Sequence, residues 1–188
     1  MVVESTETAI LDAALGEVLE HGIRRTSVSD IARRCGISRQ TLYRYWPDAQ
    51  AVFAALVTRE LMAAVPTGSR PPHDRSELVG LLVDIADRVR GMPLVERLRD
   101  TDPELFARYI LERLGTSQRA MLARLDDLLR TAQSAGVVRS GDVPAMSAMV
   151  LLIAQSAVQS APLVADRLGD EAWTRELGLA LDGYLAAP

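Results

Sequence analysis

The sequence predicts an all-α protein with two parts, a small N-terminal helix-turn-helix domain and a larger helical domain. Apolar residues recur at helical spacing along most of the chain. The 188 residues include 48% hydrophobic but only 4% aromatic side chains, a balance that favours helices over sheets. A segment with three prolines, residues 66–74, separates two runs of helices. We expect about nine helices in total, because glycine and proline breaks divide the periodic segments.

The first three helices are predicted from apolar periodicity and capping residues. Helix one should span Thr6 to His21 and end at Gly22. Ser27 and Asp30 form the capping-box pattern that begins helix two. Helix two should end after Cys35, followed by a glycine turn and then helix three, which Ser38 caps. In helix three, Leu42 and Trp46 should face inward, turning the polar residues outward: Arg39, Gln40, Tyr43 and Arg44.

Positive charge is concentrated in the same short segment. Residues Ile23 to Trp46 hold six arginines against one acid, Asp30, in a chain whose formal net charge is −4. A basic face confined to one small domain is the electrostatic footprint of a nucleic-acid-binding surface. The segment therefore has both the pattern and the charge of a DNA-binding helix-turn-helix.

The remaining chain is expected to form a second helical domain. Residues 1–47 are predicted as the DNA-binding domain and residues 48–188 as the second domain, with helix four, about residues 48–65, as the connector. The later periodic segments are Ser76 to Arg90, Leu94 to Arg99, Pro103 to Gln133, Val143 to Ala161 and Asp170 to Leu185.

Composition argues against several other classes of protein. One cysteine, Cys35, and two histidines provide neither a disulfide framework nor a metal-ligand cluster, so no cofactor is expected. The N-terminal residues lack the pattern of a secretory leader, which favours the cytoplasm. Val143 to Ala165 is uncharged and nearly long enough to span a bilayer. Its two prolines, two glutamines and three serines favour instead a helix buried by other protein, and no membrane partner is expected.

The segment Thr26 to Phe53, TSVSDIARRCGISRQTLYRYWPDAQAVF, resembles the N-terminal domain of the TetR family of bacterial transcriptional regulators. The resemblance rests on Asp30-Ile31-Ala32, on Gly36-Ile37-Ser38, and on Leu42-Tyr43 followed by Trp46. It extends over about residues 6–60, whereas residues 75–188 resemble the family only in length and helical pattern.

This resemblance implies a homodimer that places helix three in the major groove of an operator. It also implies a C-terminal domain that dimerises and binds a small-molecule effector, which shifts helix four and spreads the two recognition helices. The family usually has a lysine at the start of helix four, where it contacts phosphate and where this chain has Ala49. Two outcomes are open: affinity for DNA is lower, or Gln50 substitutes as a neutral donor.

The expected DNA contacts follow from side-chain chemistry and from position in the motif. Arg39 suits guanine and Gln40 suits adenine, although both could instead touch only phosphate or solvent. Thr41 could contact a thymine methyl group. The other expected contacts, with phosphate or in positioning the two helices, are Ser27, Arg33, Arg34, Ser38, Tyr43, Arg44 and Gln50.

Candidate effector and dimer residues lie in the later helices. Polar or adaptable side chains on apolar helices are the pocket candidates: Met92, Tyr109, Glu112, Arg119, Met121, Gln155 and Gln159. For each of them, an ordinary core or surface position is the alternative. If the last two long helices pair as the family resemblance implies, the dimer interface would contain Met146, Met149, Leu152, Leu177, Leu181 and Tyr184.

We consider one leading hypothesis for the function of the protein and two alternatives. The leading hypothesis is a dimeric repressor that a small molecule releases from a palindromic operator. The alternatives are an interaction or architectural protein without a ligand, and an enzyme that transforms its ligand. The enzyme hypothesis lacks sequence support, because we find no phosphate-binding glycine loop and no nucleophile with a base.

Overall fold

The computed structural model describes residues 5–66, 70–101, 104 and 115–187. These residues form nine α-helices and two short 3₁₀ helices, and they include no β-strand. The α-helices are α1 Thr6–His21, α2 Val28–Cys35, α3 Arg39–Tyr43, α4 Ala49–Ala63, α5 Arg75–Arg90, α6 Pro93–Thr101, α7 Thr116–Ser134, α8 Val143–Ser160 and α9 Asp170–Leu185. The 3₁₀ helices are Ile23–Arg25 and Ala161–Val164. The predicted all-α class is therefore confirmed.

The chain packs as two compact units. One contains the described parts of residues 1–63 and 92–118, and the other those of residues 64–91 and 119–188. Helix α4 thus packs with the helix-turn-helix, together with α6, which returns from later in the chain. The units group residues by packing rather than by function, so the boundary at residue 47 stays a prediction.

The N-terminal unit is built around the apolar face of α1. Ile10, Ala14 and Val18 are fully buried there. They share one core with residues of α2, α3, α4 and α6, of which the buried ones are Val28, Ile31, Ala32, Leu42, Val52, Leu56, Leu94 and Leu98. At the surface of this unit, Arg59 Nη1 of α4 lies 2.6 Å from Asp12 Oδ1 of α1. This core holds α2 and α3 against α1, α4 and α6.

The second unit has its own core, to which α5, α7, α8 and α9 contribute. Its fully or nearly fully buried residues include Leu78, Leu129, Val150, Leu181 and Leu185. Trp173 is also buried, and its indole N–H donates to the carbonyl of Ala157 at 3.2 Å. Burial along α9 follows helical spacing, because Trp173, Leu177, Leu181 and Leu185 repeat every four residues.

Helix α8 is long and apolar enough to cross a membrane by length and composition. The stretch Val143–Val164 meets that test, yet only 28% of its apolar window is buried within the chain. Its N-terminus is capped by Asp142, whose side chain accepts from the backbone N–H of Ala145 at 3.0 Å. Because α8 also contributes Met146, Ser147, Val150, Leu151 and Val158 to buried positions, the expected burial holds for one face of the helix only.

Candidate DNA-binding surface

The helix-turn-helix begins with the predicted capping box. The Ser27 side chain accepts from the backbone N–H of Asp30 at 3.3 Å, and the Asp30 carboxylate accepts from the backbone N–H of Ser27 at 3.1 Å. The Ser27 hydroxyl also donates to Asp30. These hydrogen bonds from Ser27, with a smaller contribution from Arg33, lower the pKa of Asp30 below its ordinary value. Helix α2 therefore begins at a fully capped terminus.

The turn between α2 and α3 depends on a glycine. Gly36 adopts φ 72° and ψ 25°, the left-handed conformation that side chains with a Cβ rarely adopt. Its N–H bonds back to the last turn of α2, and Ile37 N donates to the carbonyl of Ala32 at 3.0 Å. Ser38 then caps α3 by accepting from Thr41 N at 3.1 Å. The turn between the two helices therefore spans three residues, Gly36, Ile37 and Ser38.

Helix α3 separates a buried side from an exposed one. Leu42 is 0% exposed and Trp46 is 8% exposed, so both anchor the helix as predicted. The opposite side, which we call the recognition face, consists of the exposed residues Arg39, Gln40, Tyr43 and Arg44. The α-helix ends at Tyr43, and Arg44 and Tyr45 continue as a turn, so Trp46 lies just beyond the helix.

Arg39 lies at the start of the recognition face and reaches back to α2. Its Nη1 donates to Ser29 Oγ at 3.3 Å. Gln40 is exposed beside it, whereas Thr41 is half-buried with its hydroxyl 2.9 Å from that of Ser38. Of the three predicted base contacts, Arg39 and Gln40 are thus exposed, Arg39 with a hydrogen bond to α2, and Thr41 is half-buried beside the helix cap.

The paired arginines of α2 differ in their surroundings. Arg33 is 74% exposed and pairs with Asp30 on its own helix at 2.7 Å. Arg34 instead contacts two acids of α1, Glu17 at 3.4 Å and Glu20. Sequence reasoning placed Arg34 among the DNA contacts and missed this pairing, because the partners lie 17 and 14 residues earlier.

The other predicted site residues are placed as follows. Gln50 is exposed near the start of α4, and Ala49 is half-buried against the N-terminal core. Tyr109 and Glu112 lie outside the described residues. Met92 packs on the N-terminal core, Arg119 is exposed, and the remaining pocket candidates are half-buried in the second unit: Met121, Gln155 and Gln159.

The six predicted interface residues divide into two groups. Met146, Leu177 and Leu181 are at most 5% exposed and belong to the core of their own chain. Tyr184 is half-buried, with the Arg139 guanidinium 4.7 Å from its ring centroid. Met149 and Leu152 remain exposed, at 44% and 59%. Because a side chain already covered by its own core has no surface for a partner, the predicted residues that can carry an interface are Met149, Leu152 and the exposed part of Tyr184.

Comparison with known proteins agrees with this geometry. The family profile described as bacterial regulatory proteins, tetR family, matches residues 10–56, which contain the whole helix-turn-helix. An uncharacterized HTH-type transcriptional regulator of Mycobacterium bovis is 43% identical over 176 residues, or 94% of this chain and 92% of the relative. The chain belongs to the TetR family.

Solved structures of TetR-type regulators share the fold of this TetR-family chain. A regulator from Shewanella superposes with a TM-score of 0.64 at 18% identity, over 98% of this chain and all of the other. SmeT, the repressor of a multidrug efflux pump in Stenotrophomonas maltophilia, gives a TM-score of 0.58 at 25% identity, over 97% of this chain and 89% of the other. As a TetR-family member, the protein is a DNA-binding transcriptional regulator.

Proposed function

We propose that this regulator is a cytoplasmic, dimeric repressor that binds a palindromic operator and leaves it when a small molecule binds. The observation that supports DNA binding by this protein is the exposed recognition face of α3. Four polar, cationic or aromatic side chains are exposed on a short helix whose other side is anchored by Leu42 and Trp46. A rigid helix with such a face is what base-edge contact in a major groove requires.

Within the recognition face, Arg39 and Gln40 are the proposed base-reading residues. Both lie at the N-terminal end of α3 and are exposed. A guanidinium can bind guanine O6 and N7 together, and a carboxamide can bind adenine N6 and N7 together. The proposed backbone contacts are exposed polar groups around them: Ser27, Arg33, Arg34, Ser38, Tyr43, Arg44 and Gln50.

The dimer is proposed to form through α8 and α9. These helices pack against each other and leave large apolar side chains uncovered, Met149 and Leu152 on α8 and Leu179 on α9. The half-exposed, uncharged character of α8 fits a helix covered by a second copy on the side that its own chain leaves open. A two-fold dimer also matches a palindromic operator.

Effector release is proposed from the family and from its relatives. SmeT, with a similar fold, is a repressor, and a SmeT–triclosan complex has been solved. The proposed role of this chain is binding rather than catalysis, and the described residues hold no group of three His, Cys, Asp or Glu suited to a metal. The half-buried Met121, Gln155 and Gln159 stay proposed pocket residues of the second unit.

The test of DNA recognition is selection of bound sequences from a random duplex pool by the purified full-length protein. We expect a palindromic motif. Arg39→Ala and Gln40→Ala should each relax preference at one position of every half-site, costing roughly 1–3 kcal/mol on the selected sequence. Arg33→Ala should weaken binding to all sequences and reduce the slope of log affinity against log salt by about 1.

Arg124→Ala is the matched control, because Arg124 is an exposed arginine on α7 in the other unit. It should leave both the motif and the salt slope unchanged. Equal losses on selected and random DNA for Arg39→Ala and Gln40→Ala would remove them as base readers. Failure to enrich any motif at low salt would remove the proposed function itself.

A further inference from the structure

A side-chain hydrogen bond crosses the turn of the helix-turn-helix and joins α2 to the recognition face. Arg39, the first residue of α3, donates from Nη1 to the hydroxyl oxygen of Ser29 at 3.3 Å. Ser29 lies in the first turn of α2, 10 residues earlier in the chain. Ser29 is half-buried, whereas Arg39 is exposed. A residue outside the predicted set of DNA contacts therefore bonds directly to the proposed guanine reader.

The partner of Arg39 is neutral, unlike the partners of the arginines on α2. Arg33 and Arg34 are each paired with carboxylates. Arg39 is bonded to a serine hydroxyl, and it has no acidic partner among the described residues. A carboxylate would compete with the acceptors of the DNA for the guanidinium, because charge-assisted hydrogen bonds are the stronger ones. The hydroxyl of Ser29 restrains the guanidinium and leaves its charge available to DNA.

The hydrogen bond to Ser29 also determines which edge of the Arg39 guanidinium is available. It uses Nη1 and leaves Nε and Nη2 without a bond to any other described residue. The Nε and Nη2 hydrogens lie side by side in one plane, so this edge can donate to two acceptors at once. Guanine presents two such acceptors, O6 and N7, in the major groove. The bond to Ser29 and a two-bond contact with guanine are therefore compatible.

We propose that Ser29 is a positioning residue for base recognition, whose hydroxyl orients Arg39 so that the Nε and Nη2 edge faces a guanine. This inference rests on the proposed function, because it assumes that Arg39 reads a base. An arginine side chain has many rotamers, and fixing one of them when a contact forms costs free energy. A hydrogen bond that already exists in the free protein reduces this cost. Ser29 should therefore strengthen the preference for guanine without touching the base.

Both ends of this hydrogen bond are held by the N-terminal core. On α2, the residue before Ser29 is the buried Val28, and the residue after it is Asp30 of the capping box. On α3, the fully buried Leu42 lies one turn after Arg39. Val28 and Leu42 belong to the same core cluster. Because the two helices are fixed against each other, Ser29 presents its hydroxyl at a defined place beside Arg39.

The test measures base preference at single positions of the selected operator, with the full-length protein at one salt concentration. The dissociation constant for the selected duplex is compared with those for duplexes in which one base pair of one half-site is replaced. The position at which Arg39→Ala loses its preference is the Arg39 position, where we expect guanine, and the Gln40 position is defined in the same way. Ser29→Ala should reduce the preference at the Arg39 position roughly two- to tenfold, since one hydrogen bond is lost. It should leave the preference at the Gln40 position unchanged.

Two further variants separate positioning from a general structural effect. Ser29→Thr retains the hydroxyl and should restore the preference for guanine. The double variant Ser29→Ala/Arg39→Ala should show the same preferences as Arg39→Ala alone, because a residue that acts through Arg39 has nothing more to lose once Arg39 is removed. We expect Ser29→Ala to fold, because alanine is a better helix former than serine.

Ser76→Ala is the matched control, because Ser76 is likewise the second residue of a helix with a side-chain cap. It lies on α5 in the other unit, where it is exposed. The substitution removes the same hydroxyl from the same helix position. It should leave the preferences at both operator positions unchanged.

Four results would overturn the inference: a base other than guanine at the Arg39 position, an unchanged preference there in Ser29→Ala, an equal loss at the Gln40 position, or no recovery in Ser29→Thr. An unchanged preference together with tighter operator binding would mean that Ser29 holds Arg39 away from the DNA. If only the positioning role is wrong, Arg39→Ala still relaxes one position of the selected motif. If Arg39→Ala relaxes none, or no motif is selected, the proposed function fails and the positioning role fails with it.

Discussion

At the scale of single residues, Arg34 shows that an arginine in a DNA-binding motif can belong to the scaffold. It contacts Glu17, which is only 6% exposed, and Glu20 on the neighbouring helix. The two acids raise the pKa of Arg34 above its ordinary value, with the hydrogen bond to Glu20 as the largest cause. Gly16 leaves space for the guanidinium, since a Cβ there would lie 2.7 Å from it. Arg34, Glu17 and Glu20, which we call the Arg34 cluster, therefore join α1 to α2.

Arg34→Ala should lower the melting temperature more than Arg33→Ala does. The first change leaves the nearly buried Glu17 without its cationic partner, whereas the second breaks only an exposed pair within one helix. Thermal unfolding followed by circular dichroism at neutral pH measures both. Equal small decreases of melting temperature in the two variants would show that Arg34 does not hold α1 and α2 together.

The same cluster predicts a pH dependence. The hydrogen bond from Arg34 lowers the pKa of Glu20 below its ordinary value of 4.5. A carboxylate whose pKa is lower in the folded than in the unfolded state stabilises the fold above its unfolded pKa, and the stabilisation is lost as the pH falls through the folded value. The melting-temperature gap between wild type and Arg34→Ala should therefore be widest near pH 7 and narrow below about pH 4. A gap that stays constant from pH 7 to pH 3 would contradict this.

At the scale of elements, local sequence signals predicted the helix bounds well, whereas contacts between residues far apart in the sequence were not predicted. The bounds of α1 and α9 were predicted correctly, because caps and glycine stops act within a few residues. The pairing of Arg34 with α1 was missed, because it depends on how two helices pack. Periodicity also predicted which residues of α8 and α9 are apolar but not which face is covered by the same chain, so Leu177 and Leu181 were placed at an interface although they are buried.

The glycine turn of the helix-turn-helix allows a controlled test of element geometry. A Cβ at Gly36 would meet no atom within 4 Å, so Gly36→Ala should destabilise only through its φ of 72°, by roughly 1–2 kcal/mol. Gly80 also has open space around it but lies inside α5, where alanine is favoured by about 1 kcal/mol. Gly80→Ala should therefore stabilise the folded protein. Urea unfolding gives both free energies, and the same sign for the two variants would contradict the argument.

At the scale of the whole molecule, packing within a single chain does not explain the uncovered apolar surface of α8. It is uncharged and contributes five buried residues to its own core, yet most of its apolar window is not buried. Soluble monomers rarely leave such a surface open. Leu152 on α8 and Leu179 on α9, exposed at 59% and 62%, belong to two helices that contact each other. We therefore expect a second copy to cover this pair of helices.

Leu152→Glu should convert the proposed dimer to monomer. A two-fold interface receives the new carboxylate twice, so each must lose water in an apolar contact and repel its copy, which should weaken dimerisation about 100-fold or more. Sedimentation velocity measures the effect across a concentration series. Ala123→Glu is the control, because Ala123 is exposed on α7 and should leave the mass unchanged. Operator affinity should fall with dissociation, since one half-site loses its partner. A Leu152→Glu protein that stays dimeric would place the interface elsewhere, and a wild type that is monomeric at operator-binding concentrations would end the proposal of a dimeric repressor.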